Sequence, residues 1–501
     1  MTDAPPRFDP RRRRAVTFAL LLVTALASFE STVVSTAMPT IIGDLHGLSL
    51  YSWVFSVYLL TSTISMPLFG RLADLYGRRR MLLIATALFL AGALACALSR
   101  SMTWLIAARA LQGLGAGGLM PIALTVSGDL YTLQERAKVQ GLFSGVWGFA
   151  SLVGPLLGAF LTVTFGWRSI FTINLPLGLV AFALVATQMV ESRENRRDPV
   201  DLAGALLLGA GVSSLLFAVL HRAGPGSPGL AARAVLLLAA TLLLAAFASL
   251  QRRREHPLVP PELLTRPETA TPYVGGLLLG TTIYGVDTFV PLFVQGARGG
   301  TAGAAGAVVT PLVLGWAVSA AVAARVIVRL GFRRTARAGA ALILAGFGAL
   351  VAAVLLHAGI AWISLACGLV GLGLGPSSLS QVLVVQHLVP EEQRGVATSL
   401  VPFSRTVGGS IGVGALGGIL AAGLDRSLGP AADAAGHLLD GGAATTPELR
   451  LAIERALLPV FAVLFVLAAV NLFVTARYRE ELSTGRGPAP PASSPGTSPR
   501  R

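Results

Sequence analysis

The chain has 501 residues, 54% of them hydrophobic and 13% charged, with a formal charge of +15 and a mean hydropathy of +0.71. Water-soluble chains carry about 25% charged residues, so this composition excludes an ordinary soluble domain. The arginines lie in short loops between apolar runs, a pattern that sets membrane topology rather than one that binds nucleic acid.

Arg11 to Arg14 precede the first apolar run, which shows no clear signal-peptide cleavage site and is followed by many more spans, so it reads as a retained first helix. Runs long enough to cross a hydrocarbon layer follow at 51–70, 81–99, 103–126, 139–164, 168–190, 201–221 and 231–251. They continue at 270–295, 304–325, 335–357, 360–384, 395–423 and 451–476, so that with 15–38 there are about fourteen spans. Basic connections at 71–80, 191–200, 252–268 and 325–337, with the segment 1–14 and the tail, place both termini on the cytoplasmic side. The connections at 39–50 and 425–450 carry few or balanced charges and belong outside. Residues 477–501, rich in Pro, Ser and Gly, are expected to form a disordered cytoplasmic tail.

An internal repeat divides the chain. Gly113–Gly117 (GLGAG) recurs as Gly371–Gly375 (GLGLG), and Leu133–Ala137 (LQERA) recurs as Glu391–Gly395 (EEQRG), both at an offset of 258 (371 − 113 and 391 − 133). Parallel six-span repeats are one way to build a secondary transporter. The expected organisation is a six-helix bundle over 15–190, two inserted spans with flanking loops over 191–269, and a second bundle over 270–476. Cys96 and Cys367 lie in apolar runs and the six histidines are scattered, so neither a disulfide framework nor a metal site is expected. Neither a nucleotide-binding loop nor a soluble catalytic domain is evident, which argues against an enzyme and for a chain needing no cofactor.

The segment Gly70–Arg80, GRLADLYGRRR, matches the loop motif G-x-x-x-D-x-x-G-R-[RK]-[RK]. With Arg109–Gly117 on the fourth span, Gly145–Gly158 on the fifth, Glu30–Thr40 on the first and Trp167–Gly178 on the sixth, the chain resembles the major facilitator superfamily, in its fourteen-helix drug:proton antiporter branch. Glu30 stands where that branch usually has Asp, Ser35 where it has Asn, and Ala159 where it has Gly. The resemblance implies an all-α fold of two six-helix bundles with two extra spans between them, in the cell membrane. It implies that Gly70, Asp74, Gly77 and Arg78 latch the bundles on the cytoplasmic side. It also implies that Gly145, Gly154, Pro155 and Gly158 form an antiporter helix, where G-x-x-x-G spacing allows close packing and Pro155 a kink.

Ionisable residues within a span cost about 2.5–3.5 kcal/mol on insertion scales, which makes them candidates for function. Four stand out: Glu30, Arg109, Asp287 and Arg405. At 1.5 Å per residue Glu30 lies roughly 22 Å from the cytoplasmic end of its span, and Arg109 about 9 Å from the opposite end, so both reach similar depth in the outer half. Asp287 is near the repeat-equivalent of Glu30 (287 − 30 = 257), and Arg405 lies near the midplane. A buried carboxylate holds its proton more tightly, and a neighbouring arginine loosens it, so small movements exchange protons. Glu30 and Asp287 are the candidate coupling acids, Asp287 alternatively an anchor for cationic substrate, and Arg109 the modulator of Glu30. Trp53, Tyr58, Trp147, Phe149, Tyr284 and Phe403, with Gln112, Asn174 and Gln295, are the candidate lining of a substrate cavity.

The function expected is proton-driven export of amphipathic drugs by antiport and alternating access, working as a monomer in the bilayer. The same features would serve a dedicated exporter of one lipid, siderophore or self-made antibiotic.

Overall fold

The computed structural model describes residues 9–46, 50–190, 201–220, 229–428 and 447–478. The expected loop 191–200, most of the tail and part of the 425–450 connection lie outside the described residues.

The first half comprises α1 (Pro10–Leu45), α2 (Tyr51–Tyr76), α3 (Arg78–Ala97), α4 (Met102–Leu130), α5 (Leu133–Phe165), α6 (Ser169–Thr172) and α7 (Asn174–Gln188). The inserted pair is α8 (Leu202–Leu220) and α9 (Leu230–Arg253), followed by the short α10 (Pro261–Thr265). The second half comprises α11 (Pro267–Leu292), a π-helical turn (Phe293–Ala297), α12 (Ala302–Leu355), α13 (Ile360–Leu388), α14 (Arg394–Leu428) and α15 (Pro447–Thr475).

Thirteen of the described helices are long and apolar enough to cross a membrane. The longest, Gly303–Leu355, breaks at Gly331 (φ 82°, ψ 171°) into two spans, so the thirteen make fourteen crossings. Gly77 (φ 94°), between α2 and α3, makes the matching turn in the first half. Only glycine enters that backbone region at little cost, which explains why both reversals need one residue. The expected connections 71–80 and 325–337 are thus mostly helical, and α1 runs on to Leu45 where a connection was expected from 39. Helix continues beyond the apolar run because each further turn satisfies its own backbone hydrogen bonds at the membrane boundary.

Local chemistry sets several helix starts. The Asp9 carboxylate accepts from Arg11 N with Pro10 in the first turn, Ser101 Oγ accepts from Trp104 N, and Thr132 with Glu135 forms a capping box at α5. At the loop end opposite the arginine-rich connections, Trp167 Nε1 and Arg168 Nη1 both donate to Asp44 Oδ2 at 2.9 Å and hold that carboxyl below the usual carboxylate range.

Each half has its own apolar core. Leu20, Leu82, Phe89, Leu119 and Val185 belong to a cluster made only of the first half; Val286, Phe347, Val370 and Phe461 belong to one made only of the second. Water is not the solvent for the outward faces: Leu156, Val163, Leu206 and Leu230 are 71%, 87%, 74% and 86% exposed, as a lipid-facing surface requires. With little hydrophobic drive between helices in lipid, close contact depends on small residues. Gly113 lets α4 approach Tyr58 of α2, and its repeat-equivalent Gly371 lets α13 approach Leu312 of α12.

The inserted helix α8 lies in the seam between the halves. Leu208, Val212 and Leu216 share one cluster with Leu60 and Ile64 of α2 and with Phe403 of α14. Gly209 faces Ile64, Val219 faces Gly414, and Phe217 packs its ring 5.3 Å from Trp53. The hairpin closes at its base, where Gln251 donates to Asp201 Oδ2 at 2.7 Å and accepts from Val259 N at 3.1 Å.

A β-carbon at Gly371 would lie 2.7 Å from Leu312 Cα, where backbone cannot yield. Gly371→Leu is expected to destabilise the fold by about 1–3 kcal/mol, read as a lower unfolding midpoint in detergent. An unchanged midpoint would show that the α12–α13 contact is looser than described.

Candidate functional site

The membrane interior of the first half holds a sealed polar network. Glu30 on α1 is 2% exposed and forms an ion pair with Arg109 of α4, itself 1% exposed. Asn174 Nδ2 of α7 donates to the other carboxylate oxygen at 2.9 Å. Arg109 also donates to Gln112 Oε1 at 2.7 Å and to the Val54 carbonyl of α2 at 3.3 Å. Its guanidinium carbon stands 4.0 Å from the centre of the Tyr58 ring, a cation–π contact. Cys96 of α3 donates to Gln112 Oε1 at 3.7 Å. Five helices therefore meet on one carboxylate–guanidinium pair. Five residues named from the sequence for two different purposes, Glu30 with Arg109 and Tyr58 with Gln112 and Asn174, lie in this one network.

The second cluster lies at the end of the molecule that bears the arginine-rich connections, the basic face. Asp74 near the end of α2 accepts from Gly395 N and Val396 N of α14, each at 2.9 Å. These are unsatisfied amides of a helix N-terminus, where a carboxylate is favoured. Gly70 packs against Gly395 and Ser399. Arg78 Nε lies 2.5 Å from Asp129 Oδ2, and Arg78 Nη2 lies 3.5 Å from Asp74 Oδ1 and donates to the Glu391 carbonyl at 3.2 Å. Arg394 Nη1 meets Asp129 Oδ1 at 2.7 Å. Gln386 of α13 donates to the Leu124 carbonyl of α4 at 2.9 Å. These contacts join the halves and close the basic face.

Asp129, Arg394 and Gln386 escaped the sequence reading. The repeated LQERA/EEQRG segment contained Arg394 and was the available signal; Asp129 stood at a span end, where a lone acid reads as an ordinary loop charge. Toward the opposite face the halves engage differently. Gly141 and Gly148 of α5 face Ala321 and Ala317 of α12, but Gly154 and Gly158 face Thr32 and Thr36 of α1 in their own half. Gly145 meets no neighbour within 4 Å, so its place in the packing stripe expected from G-x-x-x-G spacing is not filled. Pro155 lies on the exposed side of α5, which remains helical through it.

The second half treats charge differently. By the repeat offset, the counterpart of Arg109 is Cys367 (367 − 109 = 258). Asp287 on α11 acts electrostatically on Cys367 and on Tyr284, but no arginine faces it among the described residues. Asp287 is exposed. Helical spacing puts it three residues beyond Tyr284 and seven beyond Gly280, in line with the stripe of α11 that packs on α14. Arg405 of α14 is half-buried; its Nε and Nη2 reach Gln381 Oε1 at 3.3 and 3.0 Å, and Nη2 reaches the Ser378 carbonyl at 3.2 Å.

The aromatic candidates separate. Tyr58 belongs to the sealed network, while Trp53 and Phe403 pack on α8 rather than on open space between the halves. Trp147 and Tyr284 are half-buried, Tyr284 against Gly409. Phe149 is 59% exposed with its ring 6.2 Å from Phe29, and Gln295 is exposed in the π-helical turn. Single-chain periodicity could not tell which aromatic faces the inserted helix would cover.

Two repeated helical halves, a polar core sealed in the membrane and a closed latch on one face define a multi-pass membrane transporter of small molecules. The family model described as Major Facilitator Superfamily matches residues 20–413, and the chain belongs to that superfamily, in its multidrug-efflux branch. It is 32% identical over 410 residues to the Multidrug transporter protein MdtP of Bacillus subtilis, covering 82% of this chain and 75% of that one. It is 31% identical over 406 residues to Multidrug resistance protein 3 of the same organism, covering 79% and 78%. Among solved structures, the crystal structure of the human organic anion transporter MFSD10 matches with a TM-score of 0.64 at 14% identity, covering 94% of this chain and 100% of that one, a likeness of fold.

Asp74→Ala removes two charge-assisted hydrogen bonds across the latch, each worth about 1.5–3 kcal/mol. A cysteine at Ser399, in a background lacking Cys96 and Cys367, is expected to react at least about tenfold faster with an impermeant thiol reagent from the basic face. Unchanged reactivity would mean that the latch does not hold that face shut.

Proposed function

We propose that the protein exports amphipathic drugs in exchange for protons by alternating access, with the basic face and both termini in the cytoplasm. Supporting this orientation is the arginine content of the connections on that face. Residues 15–190 and 270–476 act as the two rocking bundles, 191–269 as an insertion between them, and one chain contains the whole route. The observation that carries the coupling is the Glu30–Arg109 pair, sealed from water and hydrogen-bonded to two further helices, α2 and α7.

The chemistry follows from what each partner keeps when the proton arrives. Protonated Glu30 no longer holds Arg109 by charge, but Arg109 retains Gln112 and the Val54 carbonyl on α4 and α2. The bond that weakens is therefore the one between α1 and the α2–α4 pair. Loosening α1 relative to α4 reshapes the bundle that packs against α5, and α5 carries the contact with α12 across the halves. Proton release re-forms the pair. Opening inward requires breaking the Asp74, Arg78, Asp129 and Arg394 latch, and that cost keeps the proton and drug steps in sequence. Asp287, exposed and without a cation, serves as the cation anchor, and no cofactor takes part.

In inverted membrane vesicles, an imposed pH gradient should drive accumulation of several unrelated amphipathic dyes. Glu30→Gln is expected to abolish gradient-driven accumulation when compared at equal amounts of folded protein, since Arg109 left without its counter-charge also lowers stability; undiminished accumulation would remove Glu30 from coupling. Asp287→Asn should weaken cationic dyes by about tenfold, the loss of one charge-assisted contact, with neutral substrates less affected. Equal loss for both classes would assign Asp287 to coupling instead.

A further inference from the structure

Arg405 stands eleven residues into α14 (405 − 394 = 11), about 16 Å from the basic face at helical rise. Its partners are neutral: Nε and Nη2 donate to Gln381 Oε1 at 3.3 and 3.0 Å, and Nη2 donates to the Ser378 carbonyl at 3.2 Å. Among the described residues no carboxylate pairs with it, and the titratable group that acts on it is the Tyr478 hydroxyl. The first half meets the same demand with Glu30 against Arg109. A guanidinium within a span and without an opposite charge leaves a full positive charge to be neutralised.

The groups around Arg405 carry more donors than acceptors. The Ser378 and Tyr478 hydroxyls, Gln381 Nε2 and Asn471 Oδ1 are buried, and none makes a well-formed hydrogen bond. Three of them meet at Gly275 of α11, where a β-carbon would stand 2.7 Å from the Tyr478 hydroxyl, 3.0 Å from Gln381 Nε2 and 3.6 Å from Asn471 Oδ1. Within this trio Gln381 can give one hydrogen to Tyr478, and Tyr478 its own to Asn471, which occupies the acceptors present. One N–H of Gln381 and the O–H of Ser378 remain, three residues apart on the face of α13 that holds the guanidinium. Arg405 Nη1 makes no hydrogen bond and is reached by solvent, so its two N–H groups remain as well. Water brings a donor for each acceptor it supplies and adds no charge, so it leaves this excess in place. An anion accepts from every donor and supplies the missing charge.

We propose that the second half binds a monovalent inorganic anion, chloride, at Arg405 Nη1, with the Ser378 hydroxyl and the Gln381 amide as further donors. Chloride plays for Arg405 the part that Glu30 plays for Arg109, except that it exchanges with solution. One guanidinium balances one charge, so a divalent oxyanion would leave a negative charge uncompensated in the span. The bound ion ties α13 to α14, the two helices that reach across to the first half through Gln386 with Leu124 and Gly395 with Asp74. This goes beyond the export reading and depends on neither substrate nor gradient.

The test is the thermal unfolding midpoint of the purified full chain in detergent, with sodium chloride exchanged for sodium gluconate at constant ionic strength. The wild-type midpoint should rise with chloride along a saturable curve, because a ligand of the folded state stabilises it by mass action. Bromide should substitute for chloride, and sulfate should not. Ser378→Ala should raise the half-saturating concentration by about 2- to 10-fold, the loss of one hydrogen bond, and Arg405→Gln by about tenfold or more. Arg405→Lys keeps the charge and should fall between wild type and Arg405→Gln. A wild-type midpoint equal in the two salts, or one that climbs with chloride without saturating, overturns the inference and requires no variant to fold. A saturable curve left unmoved by Ser378→Ala or by Arg405→Gln also overturns it, placing the anion at another arginine. Saturation by sulfate in place of chloride would overturn the monovalent assignment.

Discussion

An ionised side chain within a hydrocarbon layer must find an opposite charge or a shell of hydrogen-bonding groups, and in the first half the Glu30–Arg109 pair finds both. Breaking either partner alone leaves a buried charge uncompensated, typically a larger loss than the pair contributes when whole. The same constraint explains the surroundings. Asn174 completes the carboxylate, Gln112 and the Val54 carbonyl complete the guanidinium, and Tyr58 covers its face. The close approach of α4 to α2 that this geometry needs is permitted by Gly113 and Gly117 against Tyr58 and Ser62.

The basic face uses the same physics at a place where water can reach when the halves separate. Asp74 occupies the amides at the start of α14, and Asp129 takes one arginine from each half, Arg78 and Arg394. Both interactions are strong while desolvated and easily replaced by water once exposed, which suits a contact that has to open and close. The latch is also unequal between the repeats: Gly331 reproduces the turn of Gly77, but the segment before it, Arg325–Leu330, contains no acid to match Asp74. One carboxylate therefore serves a joint whose symmetry would allow two.

Most of the helices were legible because about 20 consecutive apolar residues admit few alternatives. Their ends were less legible, since the last polar turns remain helical for reasons of backbone hydrogen bonding that hydropathy does not register. Depth along a span could be estimated from residue counts, which brought Glu30 and Arg109 to a common level; whether the two helices faced each other depended on packing that no single span encodes. For Trp53 and Phe403 the same ignorance of facing put them at a central cavity, whereas α8 covers both. Gln386 and the bridging role of Asp129 were hidden because the Gln386 partner and one of the two Asp129 partners come from the other half of the chain, more than 250 residues away (the pairs are 262 and 265 apart).

The chain has two cysteines, and each stands beside one of the intramembrane carboxylates: Cys96 against Gln112 in the network of Glu30, and Cys367 within the field of Asp287. Both thiols are fully buried. The unmodified molecule therefore carries a built-in reporter at each charged centre, silent to alkylating reagents until that centre is exposed, so motion in the two halves can be timed separately without introducing a label.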